Sequence, residues 1–314
     1  MIKVDLITGF LGSGKTTFIR SYARHLLDDG TRIGIIVNDY GAVNVDMMLL
    51  SELLCDDCNV EMVIGGNTYE DHLRRFKTKL ISLAMMGYQR VIVEPSGIFD
   101  ADEFFDVLRD EPLDRWYEPG NVITLLDTGL DIPLSREADY LLVSQAANAG
   151  RIVMSRTQQY PSDRKDAVIT YLRNCMREFH CSRDITGIVI DREWTEFTDR
   201  DWTDLFTCGY ASADHVRMPV SRMSDFDSLI YMKPPVTEDE LRSSIAPLIN
   251  DPKAGGIIRI KGFHPLPDGT WLTVNITHDH AEITPAAIGQ DVLLVIGENL
   301  DRDYINAHFH MQAL

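Results

Sequence analysis

Residues 9–17 read GFLGSGKTT, and no other stretch of the chain constrains its fold as strongly. The pattern G-x-x-x-x-G-K-[ST] is met by Gly9, Gly14, Lys15 and Thr16. Glycines free the backbone to turn its N–H groups inward around phosphate oxygens, the lysine reaches the outer phosphates, and the hydroxyl after it is a ligand for Mg2+. The loop lies between an apolar run at 2–7 and a segment of helical spacing at 18–27. Strand, loop and helix in that order aim the positive end of a helix dipole at the same anion. This placement argues against a chance glycine turn. It predicts a phosphate cradle of Gly12, Ser13, Gly14, Lys15, Thr16 and Thr17.

Short runs rich in Val, Ile and Leu recur at 33–37, 90–93, 122–126 and 151–154, with helical segments between them. Strands of this kind are buried on both faces, and their alternation with helices is the signature of a parallel sheet covered on both sides. A further strand is expected at 184–190 after a helix at 163–179, and then the pattern changes. Beyond residue 215 the order becomes strand, a helix at 238–248, and closely spaced strands at 256–261, 271–277 and 291–296. The predicted fold class is therefore α/β, a P-loop NTPase parallel sheet flanked by helices, followed by a smaller α+β domain. The expected domains are residues 1–210 and 211–314, and 314 residues suffice for two cores.

The 48 acidic residues outnumber 30 basic ones, and the net charge of −18 argues against nucleic acid or an anionic membrane as partner. No apolar stretch is long enough to span a bilayer, and Met1 leads straight into the first strand. The expectation is a cytoplasmic protein without a signal peptide. Five cysteines in a reducing compartment are thiols or metal ligands rather than a disulfide framework.

Two carboxylates stand where strands are expected to end beside the phosphate loop. Asp39, in NDYG, is followed by Asp46; Glu94, in VEPSG, is followed by Gly97, whose N–H suits a γ-phosphate. Each acid alone would pass for a turn or helix cap. Together at strand ends they predict support of Mg2+ by Thr16, Asp39 and Glu94, with Lys15, Asp39 and Glu94 as the catalytic set for a nucleoside triphosphate. Which residue positions the attacking water stays open.

At this point the chain resembles the CobW-like P-loop GTPases, relatives of the maturation GTPases for urease and hydrogenase. GFLGSGKTT is similar to that family's loop, NDYGAVNVD at 38–46 to its NEFGxxxxD segment, and EPSG at 94–97 to its ESGG or ETSG. VITLLD at 122–127, SQAANAGRIVMSRTQ at 144–158, GGIIRIKGF at 255–263 and LLVIGENLD at 293–301 extend the likeness over nearly the whole chain. The resemblance implies a GTPase domain fused to a small α+β domain, metallochaperone work, metal homeostasis or cobalamin-related metabolism, and a client protein of unknown identity.

Two departures qualify it. The family's CxCC motif belongs just after Gly65 and Gly66, where this chain reads NTYEDHLRRF. Cys55 and Cys58 lie slightly upstream as CDDC, half of a Zn2+ or Co2+ site at most, and ordinary thiols on a helix or its last turn are favoured. Glu70, Asp71 and His72 offer harder ligands, although three polar residues heading a helix usually form a solvated turn. The guanine-reading NKxD is matched by Ser155, Arg156, Thr157 and Gln158. A neutral Gln158 forfeits the charge-assisted pair of bonds to guanine, which leaves three alternatives open: weak GTP binding, acceptance of ATP as well, or base contacts from other loops.

The remaining candidates read as structure. His278 and His280 are expected on one face of a strand, with His264, Asp279 and Glu282 near, but without a diagnostic third ligand. Cys175, His180 and Cys181 read as core and turn, and Arg259 and Lys261 as cover for an exposed strand face. The leading expectation is slow GTP hydrolysis driving a conformational cycle. A nucleotide-regulated chaperone for a client without metal transfer, and a small-molecule kinase, are the alternatives.

Overall fold

The computed structural model describes residues 1–39, 49–64, 69–96, 101–216, 218 and 226–314, with backbone alone at 38, 39, 64, 69, 70, 72 and 226. The described residues through Met218 cluster as one compact unit and those from Phe226 onward as a second.

The first unit is built on seven strands, β1 (Ile2–Gly9), β2 (Ile33–Asp39), β3 (Cys58–Ile64), β4 (Arg90–Glu94), β5 (Tyr117–Asp127), β6 (Arg151–Ser155) and β7 (Val189–Ile190), in the order β3-β2-β4-β1-β5-β6-β7. Every pairing between these neighbours is parallel. The apolar runs form the centre: β4 is buried throughout, and β1 from Val4 to its end. Helices α1 (Lys15–Asp28), α2 (Tyr69–Met85), α3 (Ala101–Arg109), α4 (Arg136–Ala147), α5 (Ser162–Glu178) and α6 (Asp199–Phe206) return the chain between strands or cover the sheet. Parallel strands put the loops that follow them at one edge, where open α/β sheets hold ligands. The phosphate loop after β1 therefore shares that edge with the loops after β2, β4, β5, β6 and β7.

A buried polar knot lies under the sheet's middle. Asp5 of β1, fully buried, accepts bonds from Tyr22 Oη at 2.8 Å and from the Asn121 N–H at 2.8 Å. Its carboxylate also lies 3.1 Å from Arg90 Nε. Asn121 Nδ2 in turn donates to Tyr22 Oη at 3.0 Å, and Arg90 Nη2 donates to the Phe206 carbonyl at 3.1 Å. Gly120 leaves room for this: a Cβ there would lie 2.3 Å from Asp5 Oδ1. Burial pushes the Asp5 carboxyl up, against the pull of Arg90.

The second unit is an antiparallel sheet, β8 (Phe226–Met232), β9 (Gly256–Pro265), β10 (Trp271–Thr277), β11 (His280–Ala286) and β12 (Val292–Glu298), ordered β11-β10-β9-β12-β8. Alternate residues such as Leu229, Tyr231, Leu272, Val274, Leu293 and Val295 form one core with Leu241, Ile245 and Leu248, and with Ile305 and Phe309 of α7 (Arg302–Phe309). Period-2 burial in β10 is the pattern of a sheet with one packed face.

Several expectations need correction. β3 and β11 are strands that the sequence pattern did not mark, while the strand expected at 184–190 shrinks to Val189–Ile190. Cys55 and Cys58 are not helical: each donates its N–H to the other's carbonyl, at 3.2 and 3.1 Å, closing a tight turn over Asp56 and Asp57. His278 lies in the turn after β10 and His280 begins β11, so the two do not share a strand face. Lys261 is buried rather than exposed, whereas Arg259 donates to Asn275 Oδ1 at 3.0 Å.

Candidate phosphate and base site

The cradle is shaped by backbone that only glycine adopts easily. Gly14 has φ 90° and Gly9 φ 145°, and a Cβ on Gly9 would meet the Leu125 carbonyl at 2.4 Å. Helix α1 begins directly after Gly14, so its unpaired N–H groups and dipole face the loop. Lys15 is buried and donates from Nζ to the carbonyls of Gly9 at 2.9 Å and Phe10 at 3.3 Å. Its ammonium is thus held inside the turn where phosphate oxygens would stand. Ser13 Oγ is buried without a hydrogen-bond partner among the described residues. Thr17, by contrast, is exposed.

Glu94 is the last residue of β4. Thr16 Oγ1 donates to Glu94 Oε1 at 2.6 Å, across 78 residues of sequence, and Glu94 is buried. A hydroxyl and a carboxylate brought together beside a phosphate cradle are hard oxygen donors that fit Mg2+. Asp39 closes β2, its backbone paired with Ile64, and its side chain lies outside the described residues. Gly97 and Asp46 lie outside them too, as do Gly65 and Gly66 and the side chains of Glu70 and His72.

Ser155, Arg156 and Gln158 leave the end of β6 at the same edge. Arg156 has φ 56°, and its Nη2 donates to the Gly12 carbonyl of the cradle at 2.8 Å and pairs with Asp127 at the end of β5. Ser155 Oγ is buried and without a partner among the described residues. The sequence did not reveal the second half of this site, which follows β7. Glu193 is buried and accepts from the backbone N–H groups of Arg156 and Thr157. Burial pushes its carboxyl up, and those N–H bonds draw it back. Trp194 packs edge-on against Phe18, and its ring tip is the nearest atom to a Cβ built on Gly14, at 3.4 Å. Gln158 Nε2 donates to Glu196 Oε1 at 3.3 Å. An acid directly beyond a strand parallel to β6 was the available signal, because such a residue must emerge beside the 155–158 loop.

The cysteine pair is far from this edge. Cys55 and Cys58 stand at the start of β3, and seven residues of strand at about 3.3 Å each put roughly 20 Å between them and its other end. Cys58 is buried, and burial, aided by neighbouring Cys55, pushes its thiol up to about 12, which opposes the thiolate that a metal needs. Among the described residues no group of three or more His, Cys, Asp or Glu side chains could hold a metal ion. His278 Nδ1 faces Asn250 Oδ1 at 3.0 Å, and the Cys175 thiol donates to Asp139 at 3.3 Å. Among the described residues no helix is long and apolar enough to cross a membrane.

A parallel sheet with a glycine cradle, a lysine inside it and a threonine–carboxylate pair beside it defines a P-loop nucleotide-binding protein. The chain belongs to the CobW/HypB/UreG family, whose nucleotide-binding domain matches residues 3–182. It is similar to the zinc chaperone YeiR of Escherichia coli, 26% identical over 179 residues, covering 54% of this chain and 50% of that protein. It is also similar to the zinc-regulated GTPase metalloprotein activator 1 of Schizosaccharomyces pombe, 21% identical over 350 residues, covering 96% and 83%. The chain thus spans about half the length of YeiR and most of the fission yeast protein. Among solved structures, the Zn(II)-bound YjiA GTPase from E. coli aligns over 98% of both chains at 17% identity, with a TM-score of 0.36.

Proposed function

We propose that the chain binds GTP with Mg2+, hydrolyses it slowly, and uses the resulting change of shape to time delivery of a metal ion, zinc foremost, to a client protein. The observation that carries this reading is the 2.6 Å bond from Thr16 to Glu94 beside a buried Lys15. On binding, the Lys15 ammonium exchanges two loop carbonyls for the outer phosphates. Thr16 and Glu94 would hold Mg2+ through the hydroxyl and carboxylate oxygens that now bond each other, and Asp39, which ends β2, would be the further carboxylate to support it. Mg2+ held there would neutralise phosphate charge. Gly97, three residues beyond Glu94, is suited to sense the γ-phosphate by its N–H.

A route for the signal runs along the first unit. Asp102, in the first turn of α3, accepts from Asn148 Nδ2 at 3.3 Å and lies 3.7 Å from His215 Nε2. Asn148 in turn accepts from the N–H groups of Ala211 at 3.1 Å and Ala213 at 3.3 Å. The first turn of α3, which follows β4 in the chain, is thereby tied to residues 211–215, and a shift of α3 would reach them.

Zinc as cargo is supported by the names of two relatives, and the missing CxCC cysteines and the buried Cys58 thiol favour the second reading, a nucleotide-timed chaperone without metal transfer. Competition for Zn2+ against a chromophoric chelator separates them. Metal delivery predicts stoichiometric Zn2+ whose affinity changes about tenfold or more between GTP and GDP, a coupling of about 1.4 kcal/mol. Zn2+ affinity indifferent to nucleotide would overturn it in favour of the chaperone.

A further inference from the structure

Resting on that nucleotide-binding reading, the geometry assigns base selection to a composite pair of acceptors: we propose that Glu196, from the turn after β7, and Gln158, from the loop after β6, together read guanine and reject adenine. The two loops come from adjacent parallel strands, with Ile152 opposite Val189 and Val153 opposite Ile190, so they must emerge side by side at the ligand edge. Three separate contacts lock them there. Glu193 accepts from the N–H groups of Arg156 and Thr157, Trp194 stands over Gly14, and Gln158 donates to Glu196 at 3.3 Å. Arg156, in the same loop, reaches the cradle at the Gly12 carbonyl, and buried Ser155 Oγ at its start has no partner among the described residues. The loop pair is therefore continuous with the phosphate site and retains unused polar capacity.

The chemistry follows from the amide. With Nε2 engaged by Glu196, the Gln158 carbonyl is the group left to face a ligand, and a carboxylate oxygen lies next to it. Guanine presents two adjacent N–H donors, at N1 and the exocyclic N2, which match two adjacent acceptors. Adenine presents one donor beside the N1 lone pair, and a carboxylate facing a lone pair repels it. Glu196 thus returns from a distant loop the negative charge that Gln158 lacks, and a bond to a charged acceptor is about twice as strong as a neutral one.

Fluorescent competition with GDP and ADP tests this, since diphosphates report on the base whether or not any triphosphate is hydrolysed. The wild-type protein is expected to prefer GDP, and Glu196→Gln to lower the GDP-to-ADP affinity ratio about tenfold or more, through weaker GDP binding together with ADP binding that is unchanged or tighter. Combining E196Q with Gln158→Asp should restore the preference, because the acid then stands in the other loop. An unchanged ratio in E196Q, equal wild-type affinities, or equal loss of both nucleotides would each overturn the proposal. Failure of the wild type to bind either diphosphate would instead sink the nucleotide-binding reading.

Discussion

Lys15→Ala is expected to weaken GTP binding at least a hundredfold while leaving the protein folded. The Lys15 ammonium sits inside the glycine turn, held by the Gly9 and Phe10 carbonyls, already close to where outer phosphates would bind. Charge-assisted bonds of this kind contribute about 3 kcal/mol, and more where water is excluded, and 2.7 kcal/mol is a hundredfold in affinity. The cradle's turn is set by its glycines rather than by the lysine, so the fold is expected to tolerate the change. Calorimetric titration with GTP and Mg2+ checks the binding, and the thermal unfolding midpoint checks the fold. Normal GTP affinity in K15A would remove the basis for the proposed cycle.

The second large effect concerns the sheet rather than the site. Asp5→Ala is expected to cost about 3–5 kcal/mol, because it strands the Arg90 charge and leaves Tyr22 and the Asn121 N–H without their acceptor in a dry interior. Asp5→Asn should lose less, since the amide oxygen can still accept from Asn121. The knot joins β1, β4 and β5 directly beneath the strand that ends in the phosphate loop, so GTP affinity should fall with stability. Urea unfolding followed by tryptophan fluorescence measures the difference; coincident midpoints for D5A and the wild type would show that the knot does not hold the sheet.

The first unit's fold was legible because its central strands are continuous apolar runs and because the cradle is local, with all of its residues inside 9–17. Glu94 could be anticipated since a carboxylate ending a buried strand has only the ligand edge to face. Edge strands were harder to see. β3 alternates Asn59 and Glu61 with apolar residues, and β11 carries Pro285, tolerated only where one side of the ladder is unpaired. The tight Cys55–Cys58 turn escaped notice for a related reason, since its geometry is set by strand pairing rather than by a helical period. The pairing of Gln158 with Glu196 was hidden in a different way. Gln158 and Glu196 stand 38 residues apart, and only the parallel pairing of β6 with a two-residue β7 brings them together. The sequence marked the loss of an acid at Gln158 but not the acid that lies across from it.

In the proposed cycle, Thr16 and Glu94 form a metal position coupled to the γ-phosphate. Its most direct test is calorimetric titration of the wild-type protein with GTP and with GDP, each with Mg2+ and with a chelator of divalent ions. Mg2+ is expected to tighten GTP binding about tenfold or more and GDP binding less, a difference abolished in Glu94→Gln. GTP affinity unaffected by Mg2+ in the wild-type protein would contradict it.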